Sequence, residues 1–151
     1  MKGFIRWSFV RRVLLGAVLV LAAIQFVPVD RSNPPVETEI PAPENVRAVL
    51  RRACYDCHSN ETLWPWYSRV APVSWLVARD VREGRKELNF STWNLYEEKR
   101  RLRKMKETRE EVAGGEMPPW FYVAIHRDAV LSAGDVALLN AWALAGAQAQ
   151  Q

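Results

Sequence analysis

Cys54-Tyr55-Asp56-Cys57-His58 crowds two thiols and an imidazole into one short stretch of chain. Two intervening residues put both thiols on one turn, at a separation that suits the two vinyl groups of a haem, so that each sulfur can form a thioether. The residue that follows, His58, is then brought under the iron as its proximal ligand. Three other chemistries draw on similar residues. A thioredoxin-like pair needs a strand before it and a βαβ setting after it, and neither is signalled. Zinc could recruit Cys54, Cys57 and both histidines, but His58 abuts Cys57 and no second ligand pair of the usual spacing exists. A plain disulfide between the two cysteines is the remaining alternative. One haem c per chain, its iron on His58, is the expectation.

An electron carrier closes its iron with a second side chain, for which the candidates are Met105, Met117 and His126. Met105 falls within a highly charged helical stretch and reads as a packing residue. Met117 stands on a loop stiffened by Pro118 and Pro119 and reached through Gly114 and Gly115, so its thioether can be aimed and held; its alternative is a buried gap-filler. His126 is an equally competent ligand, although lone histidines more often cap or hydrogen-bond. An open or water-bound position is the third possibility. His/Met coordination raises the reduction potential, whereas an open site permits small-molecule binding. The stretch that follows the motif is rich in aromatics, among them Trp64, Trp66, Tyr67 and Trp75.

The elements that must position these residues are helical. Val46, Val49, Leu50, Ala53 and Cys54 recur at i, i+3, i+4, i+7 and i+8, which makes one buried face leading into the motif. A short helix is predicted near Val73 to Gly84. A longer one is predicted from Thr92, capped by Ser91, with Leu95, Leu102, Met105 and Val112 on its apolar side and Gly114-Gly115 as its end. Trp120 to Ile125 is a short apolar segment. Ser132 and Asp135 form a capping box that starts the last helix, through Val136, Leu138, Leu139, Trp142 and Ala143. No strand, internal repeat or Gly-rich phosphate loop is signalled.

The 151 residues fit one ordinary domain, and their 49% hydrophobic content is ample for a core. The formal charge of +4 is carried by Lys2, Arg6, Arg11 and Arg12; without those four, the 21 basic residues fall level with the 17 acidic ones. A nucleic-acid reading therefore loses its electrostatic footing. After this basic stretch, residues 1–12, comes an apolar run, 13–29, interrupted only by Gln25 and Pro28. It reads as a transmembrane helix, uncleaved rather than a signal peptide, with the N-terminus inside and all that follows exported. Residues 30–43 are rich in proline and read as an extended tether. Residues 44–147 are left as the haem-binding domain.

The motif and its companions resemble cytochrome c generally, and more closely a small bacterial family of haem-binding domains. The similarity runs from about Gln25 to Ala145. Its landmarks are Asn33-Pro34-Pro35, Cys54 to Thr62, Trp64-Pro65-Trp66-Tyr67-Ser68, Ala71-Pro72, Leu88-Asn89-Phe90-Ser91, Gly115-Glu116-Met117-Pro118-Pro119 and His126. The resemblance implies an all-α, cytochrome-c-like domain in which the helix entering Cys54 packs on the C-terminal helix, Leu139 and Trp142 crossing Val46, Val49 and Leu50. It also implies that Trp64, Trp66, Tyr67 and Trp75 wall the haem, with ordinary core packing as the alternative. In cytochromes c a Met-Pro segment of this kind supplies the sixth ligand.

Lys99 to Lys106 holds six basic residues. Such runs are mostly solvated helix faces, here supported by pairs such as Glu97 with Arg101; the alternative is a docking patch for an acidic redox partner or anionic lipid. Together these features describe a membrane-tethered monohaem carrier of single electrons on the periplasmic side of a bacterial inner membrane. It would use a redox partner protein, with no small-molecule substrate evident and no enzymatic site. A haem-based sensor with His126 or water opposite His58 is the alternative.

Overall fold

The computed structural model describes residues 2–148, with the side chains of 2–6, 8, 147 and 148 left out; Met1 of the expected basic N-terminus lies outside the described residues. The helices are α1 (Lys2–Ile24), α2 (Glu44–Ala53), α3 (Tyr55–His58), α4 (Val73–Glu87), α5 (Glu98–Gly114), α6 (Trp120–Ile125) and α7 (Ala133–Gln148). Short 3-10 turns occupy Trp66–Arg69, Trp93–Leu95 and Arg127–Ala129. Among the described residues there is no strand, only one isolated parallel bridge between Thr38 and Thr92. The all-α expectation holds.

The described chain divides into two compact units: 2–32 with 64–80, and 33–63 with 81–148. Helix α4 supplies residues to both, up to Asp80 in the first and from Val81 in the second.

In the first unit α1 carries its apolar residues on all sides: Val13, Leu14, Leu15, Val18, Leu19, Val20 and Leu21 are all more than half exposed. The helix stops at Ile24 rather than running on to Val29, because Gln25 turns out of it. Its side-chain amide donates to the carbonyls of Leu21 (2.8 Å) and Ala71 (3.1 Å), and its oxygen accepts the Ala71 N–H (2.9 Å). From Val13 to Ile24 at about 1.5 Å per residue gives roughly 18 Å of apolar helix, against about 30 Å of hydrocarbon core. The expected membrane span is corrected accordingly: among the described residues no helix is long and apolar enough to cross a membrane.

The second unit is built on α2, α5 and α7. Val46, Val49, Leu50 and Ala53 are buried on α2, as the periodicity predicts, and Leu50 is fully so. They share a core with Met105 and Val112 of α5 and with Leu139 and Ala143 of α7, Trp142 packing at its edge. Removing a leucine side chain such as Leu50 or Leu139 from water is worth about 1.5–3 kcal/mol. The α2–α7 pairing expected from the resemblance is present.

Two elements differ from the expectation. Helix α5 begins at Glu98, not Thr92, and Leu95 lies outside it, largely exposed. The intervening chain is tied up elsewhere: Trp93 and Tyr96 are buried in edge-on contact, and the Ser91 hydroxyl accepts the Asn60 N–H at 2.9 Å instead of capping a helix. Arg101 donates to the Tyr96 carbonyl (2.7 Å), and the i,i+4 ion pairs of α5 are Arg103–Glu107 and Lys106–Glu110.

The proline-rich stretch, read as a free tether, is held from Asn33 to Ile40. Asn33 donates to the Thr62 carbonyl (3.0 Å), the Pro35 carbonyl accepts from Asn60 (2.7 Å), Glu37 and Thr38 donate to Ser91, and Ile40 is buried in the core. Prolines suit this path because extended backbone without hydrogen-bond donors can lie across a surface as easily as span solvent.

Candidate functional site

Helix α2 ends at Cys54, whose backbone (φ −128°, ψ −33°) leaves the helical region while its N–H stays on the Leu50 carbonyl at 2.8 Å. The Cys54 carbonyl then accepts the N–H groups of Cys57 (3.2 Å) and His58 (2.9 Å). Cys54, Cys57 and His58 thus stand on a single turn, as their spacing requires. The two cysteines are not joined in a disulfide. Burial, and next to it the neighbouring Cys57, pushes the Cys54 thiol up to about 12, so it stays protonated at neutral pH. A protonated thiol is a poor redox nucleophile. No cluster of three or more His, Cys, Asp or Glu side chains able to hold a metal ion occurs among the described residues.

His58 is oriented by α4. Its Nδ1 lies 3.0 Å from the carbonyl of Gly84 in α4 and 3.1 Å from that of Leu88, the first residue beyond the helix. Facing two acceptors, Nδ1 carries the proton and donates, which leaves the lone pair on Nε2. Burial holds the imidazole below its ordinary proton affinity; the hydrogen bonds to Leu88 and Gly84 oppose that shift and Lys104 adds to it. The result is a neutral ring with one nitrogen fixed and the other left as a base. This is the second-shell arrangement that orients a ligating histidine and raises its basicity toward a metal.

So close an approach of α4 has a cause in the sequence. A Cβ on Gly84 would stand 2.6 Å from the Cys57 carbonyl oxygen and 3.0 Å from the Cys57 Cβ, so only glycine lets the helix backbone reach the motif. The next residue, Arg85, donates through Nε to the Ser59 carbonyl (2.8 Å) and through Nη2 to Asn33 (2.8 Å) and Thr62 (2.9 Å). Sequence reasoning passed over both residues. A glycine inside a helix, where it costs about 1 kcal/mol against alanine, was the available signal.

The intervening residue Asp56 joins the motif to α6. Its Oδ2 accepts the Tyr122 hydroxyl at 2.8 Å and its Oδ1 accepts the Leu63 N–H at 2.9 Å. Tyr122 in turn stacks on His126, ring centroids 4.2 Å apart and 11° from parallel. Arg52, two residues before Cys54, holds the chain beyond α6 by donating to the carbonyls of Asp128 and Val130. Met117 is placed by the end of α5. Gly115 takes the left-handed conformation (φ +74°), and the N–H groups of Glu116 and Met117 fold back onto the Glu111 carbonyl. The two candidate sixth ligands, Met117 and His126, therefore bracket a helix that is bonded to the Cys54–His58 turn. No residue of α6 is buried, although its sequence is Trp-Phe-Tyr-Val-Ala-Ile; Trp120 is 80% exposed and Ile125 63%.

This chain matches the model of the haem-binding domain family over residues 19–145. It belongs to that family. Neither a curated protein nor a solved structure matches it. The residues of this haem-binding domain fit the group its family implies: an imidazole with its Nδ1 fixed and its Nε2 lone pair left over, two thiols on the same turn, and an uncovered apolar helix bonded to that turn. Trp64, Trp66 and Tyr67, expected as the haem wall, fall in the first unit, where Trp66 meets Tyr67 edge-on at 5.9 Å and is 78% exposed.

Proposed function

We propose that this haem-binding domain is a monohaem c-type cytochrome that carries single electrons. The observation that bears most weight is the double hold on His58 Nδ1 by the Gly84 and Leu88 carbonyls, which commits the imidazole to act through Nε2. Bound haem supplies the one-electron couple of its iron. Cys54 and Cys57 would hold it by adding their thiols across its two vinyl groups, sulfur to one vinyl carbon and the thiol proton to the other, with no oxidant needed. His58 and Met117 would be its iron ligands, and the apolar residues of α6 would keep water from it.

A second reading, a haem sensor with His126 opposite His58, draws support from the Tyr122–His126 stack, which fixes the plane of that ring. Met117→Ala separates the two. A carrier loses its thioether-to-iron charge-transfer band and gains rapid carbon monoxide binding in the reduced state; a His126-ligated protein changes in neither respect.

Covalent attachment is tested by an alkaline pyridine spectrum of protein made in a host with haem-attachment machinery, repeated after acid-acetone extraction. Haem that stays with the chain supports the proposal, and haem that extracts freely overturns it. The same reading puts the domain on the outer side of a bacterial cytoplasmic membrane, since basic Arg11 and Arg12 followed by a short apolar segment also describe an export signal. Fractionation of cells followed by haem staining tests this location; staining confined to the cytosol is the outcome against it.

A further inference from the structure

One charge in the basic run of α5 is unlike the rest. Lys104 is 7% exposed, while its neighbours Arg100, Arg103 and Lys106 lie in solvent. Its ammonium is 2.7 Å from the Glu107 carboxylate and 3.5 Å from that of Glu87. Glu87 immediately precedes Leu88, whose carbonyl holds His58 Nδ1, so the buried cation is paired to the residue next to the one that fixes the proximal histidine. The two carboxylates that balance it are far more exposed, at 69% for Glu87 and 43% for Glu107. Water screens an exposed charge much more than a buried one, so the field reaching His58 from this trio is dominated by the lysine.

Resting on the haem reading above, we infer that Lys104 sets the reduction potential of the domain, its buried ammonium opposing the extra positive charge of the ferric state. It is a positioning charge that acts through His58. Aliphatic packing alone would not require an ammonium here, since a methionine fills similar volume without the cost of burying a charge.

The test is potentiometric titration of the haem-loaded full chain and its variants, each first shown by pyridine spectrum to carry one covalent haem. Lys104→Met is expected to shift the reduction equilibrium about tenfold toward the ferric form, equivalent to about 59 mV for one electron. Lys104→Arg, which keeps the charge, stays within about threefold of the parent. Equal shifts in the two variants, or none in Lys104→Met, overturn the inference while leaving the haem reading intact; absence of covalent haem from the parent chain defeats the haem reading itself. Should Lys104→Met not fold, Lys104→Gln, neutral but polar, carries the test with the same expected shift toward the ferric form, and no shift or the opposite sign overturns the inference.

Discussion

Gly84 of α4 approaches Cys57 so closely that a methyl group on it would lie 2.6 Å from the Cys57 carbonyl oxygen. The obstruction is backbone, which cannot swing aside as a side chain can. Moving α4 outward to relieve it would also withdraw the Gly84 and Leu88 carbonyls from His58 Nδ1. Gly84→Ala is therefore expected to destabilise the domain by about 1–3 kcal/mol, the usual range for overpacking, despite the better helix propensity of alanine. Urea unfolding measures the loss, and a reduced yield of covalent haem at equal expression shows that it reaches the site.

Gly146 in α7 is the matching control. A Cβ there would meet the Met105 Cε at 2.7 Å, the far end of a flexible thioether side chain. Methionine has three rotatable bonds with which to yield, and replacing a helical glycine by alanine recovers up to about 1 kcal/mol of helix propensity. Gly146→Ala should leave stability unchanged or slightly raised. A loss as large as that of Gly84→Ala would show that Met105 is as immovable as backbone.

Asp56 and Tyr122 are separated by most of the domain's sequence yet bonded at 2.8 Å. Tyr122→Phe deletes the donor alone and keeps the ring that stacks on His126. Hydrogen bonds to charged groups contribute about 1.5–3 kcal/mol, and this one is partly exposed, so the low end of that range is expected in unfolding. The distinguishing sign is local. Amide exchange in α6 accelerates more than in α2 or α7, because no residue of α6 is buried to hold it otherwise.

What the sequence made legible follows from how far each signal reaches. The buried face of α2, the end of α5 at Gly114-Gly115 and the capping box of α7 are written in neighbours a few positions apart, and the structure has them all. The Cys54–His58 turn is of the same kind. Gly84, Arg85, Arg52 and Lys104 act on residues tens of positions away, and nothing in their local pattern names the partner. The early start given to α5 failed for a related reason. Ser91 has the chemistry of a cap, but its hydroxyl and the rings of Trp93 and Tyr96 are claimed by contacts that local pattern cannot show. In α1 the apolar run was read to Val29 because hydropathy alone could not reveal that Gln25 pairs with Ala71.

The capping box also yields a pH dependence. Asp135 accepts the Ser132 N–H (2.8 Å) and hydroxyl (2.7 Å) at the N-terminus of α7, and Arg52 lies 3.1 Å from the same carboxylate. The Ser132 backbone bond, then its hydroxyl and Arg52, hold the Asp135 carboxyl below its ordinary value of 3.8. Between the folded value and 3.8 the unfolded chain binds more protons than the native one, so stability rises with pH across that window. The contribution is complete above the unfolded value and lost as pH falls through the folded one. Asp135→Asn removes the charge while keeping an acceptor, and it should cost about 0.3–1 kcal/mol at neutral pH through the helix dipole and Arg52. The parent and variant curves should converge in acid. Urea titrations at pH 7 and near pH 3 measure the difference; a gap that stays constant between them would show that Asp135 acts by packing rather than by charge.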